Sequence, residues 1–254
     1  MSKKRSTRRR RRGSLGPLLR VLSVLLAAGA IVAALTLFFK VGEVEVTGNV
    51  RYTAEEIVAV TGVEQGDNLI LLDKYHVAQK LYTQLPYITN VRINRKLPDG
   101  LEVEVTETAA AAAVRGAGSW WLLSSGGKLL EPVETKAAQE YMQIKGLETQ
   151  NPAAGGRLEL LEDCAISTER LEELLGLMEA KGMLAMTDSI SVTDPDKLVI
   201  GYDDRFKVEL YYDADFDFKL TCLQSVVSEL EPNETGTIRM TMADDNEIRF
   251  IPDA

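Results

Sequence analysis

The chain has 254 residues, with 29 basic and 38 acidic side chains and a formal net charge of −9. A hydrophobic content of 45% is typical of folded proteins and excludes a largely disordered chain. Two cysteines, Cys164 and Cys222, are too few for a disulfide framework. We expect two separately buried thiols, with a bridge between them as the alternative.

Residues 21–39 form an uncharged run in which only Ser23 and Thr36 are polar. At about 1.5 Å per residue, a helix of this length spans roughly 28 Å, close to the hydrocarbon thickness of a bilayer. The sequence therefore predicts one transmembrane helix. A cleaved signal peptide is the competing interpretation, but its apolar region is shorter and ends at small residues. Here bulky residues continue to Phe39, which favours an uncleaved anchor.

The first twenty residues are strongly basic. Residues 1–20 hold nine of the 29 Lys and Arg side chains and no acid, which leaves residues 21–254 with a net charge of −18. The positive-inside rule places this tail in the cytoplasm and the rest of the chain outside, the single-pass type II orientation. An arginine run can bind nucleic acid, but beside an apolar span it more often sets topology. We expect no nucleic-acid partner.

Residues 41–108 carry the signals of a small α+β unit. Strand alternation at 43–47 precedes a capping box at Thr53–Glu56, and Gly62 ends the helix that the box opens. Asp73 can cap a second helix over 74–84, and two strands follow around a turn at 98–100. The predicted order is β-α-α-β-β.

Two segments of this unit carry a family resemblance. They read VGEVEVTGNVRYTAEEI and LPYITNVRINRKLPDGLEVEVTE, directly after the apolar run. Their order and their position resemble the FtsQ-type POTRA domain of the FtsQ/DivIB cell-division proteins. The resemblance implies a membrane-anchored division protein at the septum whose partners are FtsB/DivIC and FtsL. Through them it would reach the septal peptidoglycan synthases.

Residues 109–254 predict a second domain, mixed α+β with an antiparallel-rich sheet, that resembles the β domain of the same family. Its predicted elements, in chain order, are a hairpin at 120–130, a strand near 144, a helix at 168–181, strands at 189–192, 197–202 and 206–212, a helix at 215–230, and strands at 237–242 and 247–251 joined by 243–246. Gly236-Thr237-Ile238-Arg239 departs from the usual family pattern, in which an Asp follows the glycine by two or three residues.

We find no pattern for a catalytic, cofactor or metal site. His76, the single histidine, lies on a predicted helix and lacks the companions that a zinc site or a triad needs. The run at 213–217 begins like a calcium loop, but Phe218 and Gln224 occupy the positions that need Gly and Glu. We interpret it as a helix start.

The sequence and the resemblance together predict a non-enzymatic scaffold. A final hairpin at a sheet edge offers unpaired N–H and C=O groups that an extended partner segment can complete. The predicted partner-binding residues are Thr237, Arg239, Thr241, Met242, Glu247, Ile248, Arg249 and Phe250. Ile248 and Phe250 could instead be core residues. The alternative function is a membrane-anchored cell-wall hydrolase or transferase, because 38 acids can always supply a carboxylate pair.

Overall fold

The computed structural model describes residues 15–161, 164–241 and 248–253. The first element is helix α1, Leu15–Phe38, which confirms a helix over the apolar run. Across the described residues, however, no helix combines the length and the apolar character needed to cross a membrane. The transmembrane span at 21–39 therefore stays a prediction.

A three-stranded sheet follows α1. Its elements are β1 Glu43–Thr47, α2 Ala54–Thr61, α3 Lys74–Gln84, β2 Ile88–Lys96 and β3 Gly100–Glu107. The strand order is β1-β3-β2, with β1 parallel and β2 antiparallel to β3. Ile57 of α2 and Leu81 of α3 are fully buried in the core that also contains Val103 of β3. The predicted β-α-α-β-β order is confirmed.

Local capping explains where these helices begin. The Thr53 side chain accepts from the Glu56 N–H, and the Glu56 carboxylate accepts from the Thr53 N–H, so both halves of the predicted capping box are present. Gly62 ends α2 with a φ of 67°, which a residue with a Cβ seldom adopts. Asp73 accepts from the N–H groups of Tyr75 and His76 at the start of α3.

The described residues that follow form a second unit, a nine-stranded mixed sheet with the helices that connect its strands. Its elements are β4 Ala112–Gly116, β5 Ser119–Leu123, β6 Leu129–Val133, α4 Thr135–Ala138, β7 Gln143–Thr149, α5 Thr168–Ala180, a 3-10 turn at Leu184–Met186, β8 Thr187–Ser191, β9 Lys197–Tyr202, β10 Phe206–Tyr211, α6 Phe216–Glu229, β11 Gly236–Arg239 and β12 Arg249–Pro252. The strand order is β12-β11-β10-β9-β8-β7-β4-β5-β6. The pairs β4–β7, β7–β8 and β10–β11 are parallel, and the other five are antiparallel. The α+β fold class is confirmed.

Helices α5 and α6 supply the main core of this sheet. Leu174 and Leu175 of α5, together with Phe216 at the start of α6, are completely buried. Asp215 caps α6 by accepting from the Phe218 N–H, so the carboxylates at 213–217 begin a helix as expected. Cys164 and Cys222 are both free, which confirms separate thiols, but each is half-buried rather than buried.

The two sheets are held together by polar contacts. The Tyr87 hydroxyl donates to Glu131 at 2.5 Å, and Arg51 binds the same carboxylate at 3.1 Å. Burial raises the pKa of Tyr87, and the hydrogen bond to Glu131 raises it further. The Lys128 amine donates to the carbonyl of Ile88 at 2.7 Å, and burial lowers its pKa. These contacts fix the first sheet against β6.

Candidate partner-binding edge

Strand β12 is the outermost strand at one end of the nine-stranded sheet. It pairs antiparallel with β11, in the register Thr237↔Ile251 and Arg239↔Arg249. On its other side, no strand of the described residues pairs with it. An edge of this kind presents main-chain donors and acceptors to any extended segment that approaches it.

The direction of the β12 backbone groups follows from three hydrogen bonds. The N–H groups of Gly236 and Met240 donate towards β10, to Arg205 at 3.1 Å and Glu209 at 2.9 Å. Successive residues of a strand direct their backbone groups to opposite sides, so Thr237 and Arg239 face β12. On β12 itself, the Asp253 N–H donates back to Thr235 at 3.0 Å.

The same alternation identifies the outward groups of β12. Arg249 and Ile251, which pair with Arg239 and Thr237, direct their N–H and C=O groups towards β11. The N–H and C=O of Phe250 and the C=O of Pro252 therefore point to the open side. Pro252 has no N–H, and such a residue is tolerated only where no ladder partner needs the donor, as on an edge strand.

The side chains of this segment divide between the two faces of the sheet. Ile248 and Phe250 are half-buried and pack against the main core. The Phe250 ring meets Phe206 edge to face, with centroids 6.1 Å apart and an interplanar angle of 76°. Arg249 is exposed, and Ile251 is 37% exposed. The Phe250 side chain therefore packs against the core, whereas its backbone N–H and C=O point to the open side of the sheet.

A charged network supports the edge from the opposite face of the sheet. Glu209 of β10 is only 3% exposed and binds Lys197 at 3.1 Å, Lys207 at 3.2 Å and Arg239 at 3.2 Å. Burial raises the pKa of Glu209, but the hydrogen bonds from the three cations outweigh it and leave the pKa below its ordinary value. The carboxylate therefore links β9, β10 and β11 through their side chains.

The structure separates the predicted partner-binding residues into four positions. Thr237 and Arg239 lie on β11, which is paired on both sides. Arg249 and Phe250 lie on β12, and Ile248 directly precedes it. Thr241 follows the end of β11, because both final strands are shorter than the predicted 237–242 and 247–251. Met242, Glu247 and the predicted turn at 243–246 lie outside the described residues.

Sequence reasoning missed Pro252 and Glu209 at this edge, and it placed Ile251 in the predicted strand 247–251 without including it among the partner-binding residues. Pro252 is a signal that could have been used, because proline near the end of a strand indicates an edge. Strand alternation places Ile251 on the same face as Arg249. No sequence pattern indicates that Glu209 is buried. Its three cationic partners are Lys207 on the same strand, Lys197 on β9 and Arg239 on β11, and their convergence depends on the pairing of the strands.

Potential metal-binding and catalytic groups elsewhere in the chain are scattered. Within residues 15–161, 164–241 and 248–253, no three His, Cys, Asp or Glu side chains are grouped closely enough to hold a metal ion. His76 is an exposed residue of α3, as expected. A cavity of about 700 Å³ is lined by Arg115, Leu147 and Cys164 among others, and Glu148 is the one acid among its described lining residues.

Comparison with known proteins gives consistent matches. Residues 39–108 match the family described as POTRA domain, FtsQ-type. Cell division protein FtsQ of Corynebacterium glutamicum is 33% identical over 108 residues, covering 42% of this chain and 48% of the relative. FtsQ of Anaeromyxobacter sp. strain K is 28% identical over 221 residues, covering 83% and 72%. Cell division protein DivIB of Clostridium botulinum strain Hall is 24% identical over 129 residues, covering 51% and 50%. The chain spans about half the length of the first and third of these relatives.

Proposed function

We propose that this chain is a member of the FtsQ/DivIB family of cell division proteins and acts in septum formation as a non-enzymatic scaffold. Its proposed direct partners are FtsB/DivIC-like and FtsL-like division proteins, and it reaches the septal peptidoglycan synthases through them. The proposed site of action is the division septum. The named relatives support the division role, and the proposed mechanism rests on the edge strand described above.

The proposed binding mode is strand addition to β12. One observation supports it most directly: the backbone groups of Phe250 and the carbonyl of Pro252 point to the open side of the sheet. A partner segment in extended conformation would pair with these groups and become a tenth strand. Main-chain hydrogen bonds would supply affinity. The exposed side chains of Arg249 and Ile251 would contact the partner's neighbouring side chains and help to set the register.

We further propose that α1 attaches the chain to the cell membrane, with the N-terminus in the cytoplasm. Large apolar side chains along α1 are exposed, among them Leu25 at 63% and Leu26 at 66%. An apolar surface of this extent is unfavourable in water and is typical of a segment that contacts lipid or another protein. The basic residues 1–20 suit an anionic cytoplasmic leaflet.

The strand-addition proposal can be tested by changing one backbone atom. Semisynthesis can replace the Phe250 N–H by N–CH3 and keep every side chain. The methyl group removes the outward donor and obstructs an incoming strand. We expect the affinity for an FtsB/DivIC-like partner to fall by about tenfold or more, the loss of about one well-made hydrogen bond. The matched control is the same ligated chain with an unmodified Phe250.

Two outcomes would contradict the proposal. If the N-methylated chain keeps its circular dichroism spectrum and still captures the partner with unchanged affinity, strand addition at β12 is wrong. If the purified full chain turns over peptidoglycan, and replacing a single acidic residue abolishes that turnover, the non-enzymatic assignment is wrong. The N-methyl test is sharper than Ile248→Lys, because Ile248 packs against the core and its loss would also disturb folding.

A further inference from the structure

The end of the three-stranded sheet from which α1 emerges is assembled from two loops. Strand β1 begins only five residues after α1 ends. Because β1 and β3 are parallel and β2 is antiparallel to β3, the β2–β3 turn lies at this same end. The loop between α2 and α3 joins it there: the Leu69 N–H donates to Phe39 at 2.9 Å, and the Asn68 amide donates to Leu35 of α1 at 3.2 Å.

Both loops, and the first turn of α3 that follows one of them, expose large apolar side chains. Leu71 and Tyr75 are each 74% exposed, Ile70 is 37% exposed, and Leu97 in the β2–β3 turn is 60% exposed. Single exposed apolar residues are common and need no explanation. Here four of them lie at one end of a small domain, beside an apolar helix that is itself exposed. Such a concentration is typical of an interaction surface.

The two loops form one ordered surface, because Arg95 connects them. The Arg95 guanidinium donates to the carbonyls of Leu72 at 2.8 Å and Ile70 at 3.2 Å, and also to that of Leu69. Arg95 lies at the end of β2, two residues before Leu97. The guanidinium thus holds the α2–α3 loop in place beside the β2–β3 turn, and the apolar tips keep a fixed relation to each other and to α1.

Carboxylates on these loops limit how deeply the surface could enter an apolar medium. Asp67 accepts from the Glu64 N–H, and Asp73 caps α3, so both have local partners. Asp99 lies in the β2–β3 turn next to Gly42. Burying such charges in hydrocarbon is costly, whereas the headgroup region accepts them. Apolar segments at a membrane interface enter it by about 5–10 Å.

We propose that this end of the three-stranded domain rests on the bilayer surface that α1 enters. Ile70, Leu71 and Leu97 insert at the boundary between headgroups and acyl chains, and Tyr75 lies at headgroup level, where tyrosine is favoured. This proposal rests on the proposed membrane attachment through α1. It adds that the domain is seated on lipid in one orientation and does not pivot freely on the end of α1.

Fluorescence on the full-length chain tests the contact. In a background with Cys164→Ala and Cys222→Ala, an environment-sensitive NBD label is attached at Leu71→Cys, and separately at Val50→Cys as the control. Val50 is 89% exposed and follows the far end of β1, about 16 Å along the strand from its start. The chains are reconstituted into vesicles of phosphatidylethanolamine and phosphatidylglycerol. We expect a blue shift at position 71 and none at 50.

Lipid-borne quenchers and flotation separate the possible outcomes. A nitroxide placed shallow in the acyl chain should quench the label at 71 more than one placed deep, and neither should quench the label at 50. If the chain floats with vesicles but both labels keep the spectrum seen in water, the seated orientation is wrong and the attachment through α1 stands. If the chain does not float, the attachment itself is wrong, and this inference with it. A blue shift without lipid quenching would indicate a protein neighbour and overturn the inference.

Discussion

Two sheet edges of this molecule are treated in opposite ways. At the outer edge of β2, side chains form hydrogen bonds with the outward backbone groups. The Lys74 amine donates to the Ile93 carbonyl at 2.6 Å, and the Tyr82 hydroxyl accepts from the Val91 N–H at 3.0 Å. At β12, no such bond to the outward groups of Phe250 is found among the described residues. Proteins block exposed edges to prevent unwanted pairing, so an edge left unblocked in a molecule that blocks another edge is consistent with the proposed strand addition.

The largest expected effect comes from removing the charge that supports the open edge. In Glu209→Gln, three cations on β9, β10 and β11 lose their common carboxylate. Breaking a fully buried ion pair costs about 3–5 kcal/mol, but Lys207 and Arg239 are partly exposed, so we expect a loss of about 2 kcal/mol in the free energy of unfolding. Urea titration at neutral pH measures it. A loss no larger than that of Glu55→Gln, at an exposed carboxylate on α2, would contradict this role.

The same variant gives a pH test. The pKa of Glu209 is lowered in the folded state, so its contribution to stability is complete above the ordinary unfolded value of about 4.3. That contribution is lost as the pH falls through the folded pKa. Because the amide in the Glu209→Gln variant does not titrate, the difference in unfolding free energy between the two proteins should shrink between neutral pH and about pH 3. A difference that stays constant would show that the ion pairs are not its source.

Local signals in the sequence predicted the first sheet better than the second. The start of helix α3 was predicted at its observed residue because Asp73 caps it. The order of the nine strands was not predicted, because β4–β7 and β10–β11 are parallel pairs joined by long crossovers. At the candidate site, an edge hairpin could be predicted from position and alternation. The shorter strands and the support from Glu209 could not, since they depend on contacts between distant residues.

The next largest expected loss of stability comes from removing a side chain that blocks the β2 edge. In Lys74→Met, the Ile93 carbonyl loses a charged donor at 2.6 Å, and hydrogen bonds to charged groups contribute about 1.5–3 kcal/mol. We expect a loss near the low end, about 1.5 kcal/mol, because Lys74 is only half-buried. Lys80→Met is the control, since its amine reaches a carbonyl only at 3.4 Å. Equal losses in the two variants would argue against edge blocking by Lys74.

The Tyr82 hydroxyl blocks the same edge with a neutral hydrogen bond. Tyr82→Phe keeps the ring and removes the acceptor of the Val91 N–H, for an expected loss of about 1 kcal/mol. Tyr75→Phe, at a position 74% exposed, should change the unfolding free energy by less than about 0.5 kcal/mol. Combining Lys74→Met with Tyr82→Phe should also produce concentration-dependent association in analytical ultracentrifugation, because two backbone groups of β2 are then open. A double variant that associates no more strongly than the parent chain would show that the side chains do not protect this edge.

The smallest expected effect concerns how firmly the open edge is held. Phe250→Leu keeps an apolar side chain over the core but removes the edge-to-face contact with Phe206, and aromatic pairs of this kind contribute about 0.5–1.5 kcal/mol beyond burial. Because Phe250 is half-buried, we expect a global loss of about 0.5 kcal/mol. We also expect faster hydrogen exchange at the Ile251 amide, which faces β11. Phe218→Leu, at a ring 42% exposed on α6, should leave that exchange rate unchanged. If Phe250→Leu instead lowers the free energy of unfolding as much as a core substitution does, then β12 is an integral part of the core. The proposal that β12 is an edge strand available to a partner would then lose its support.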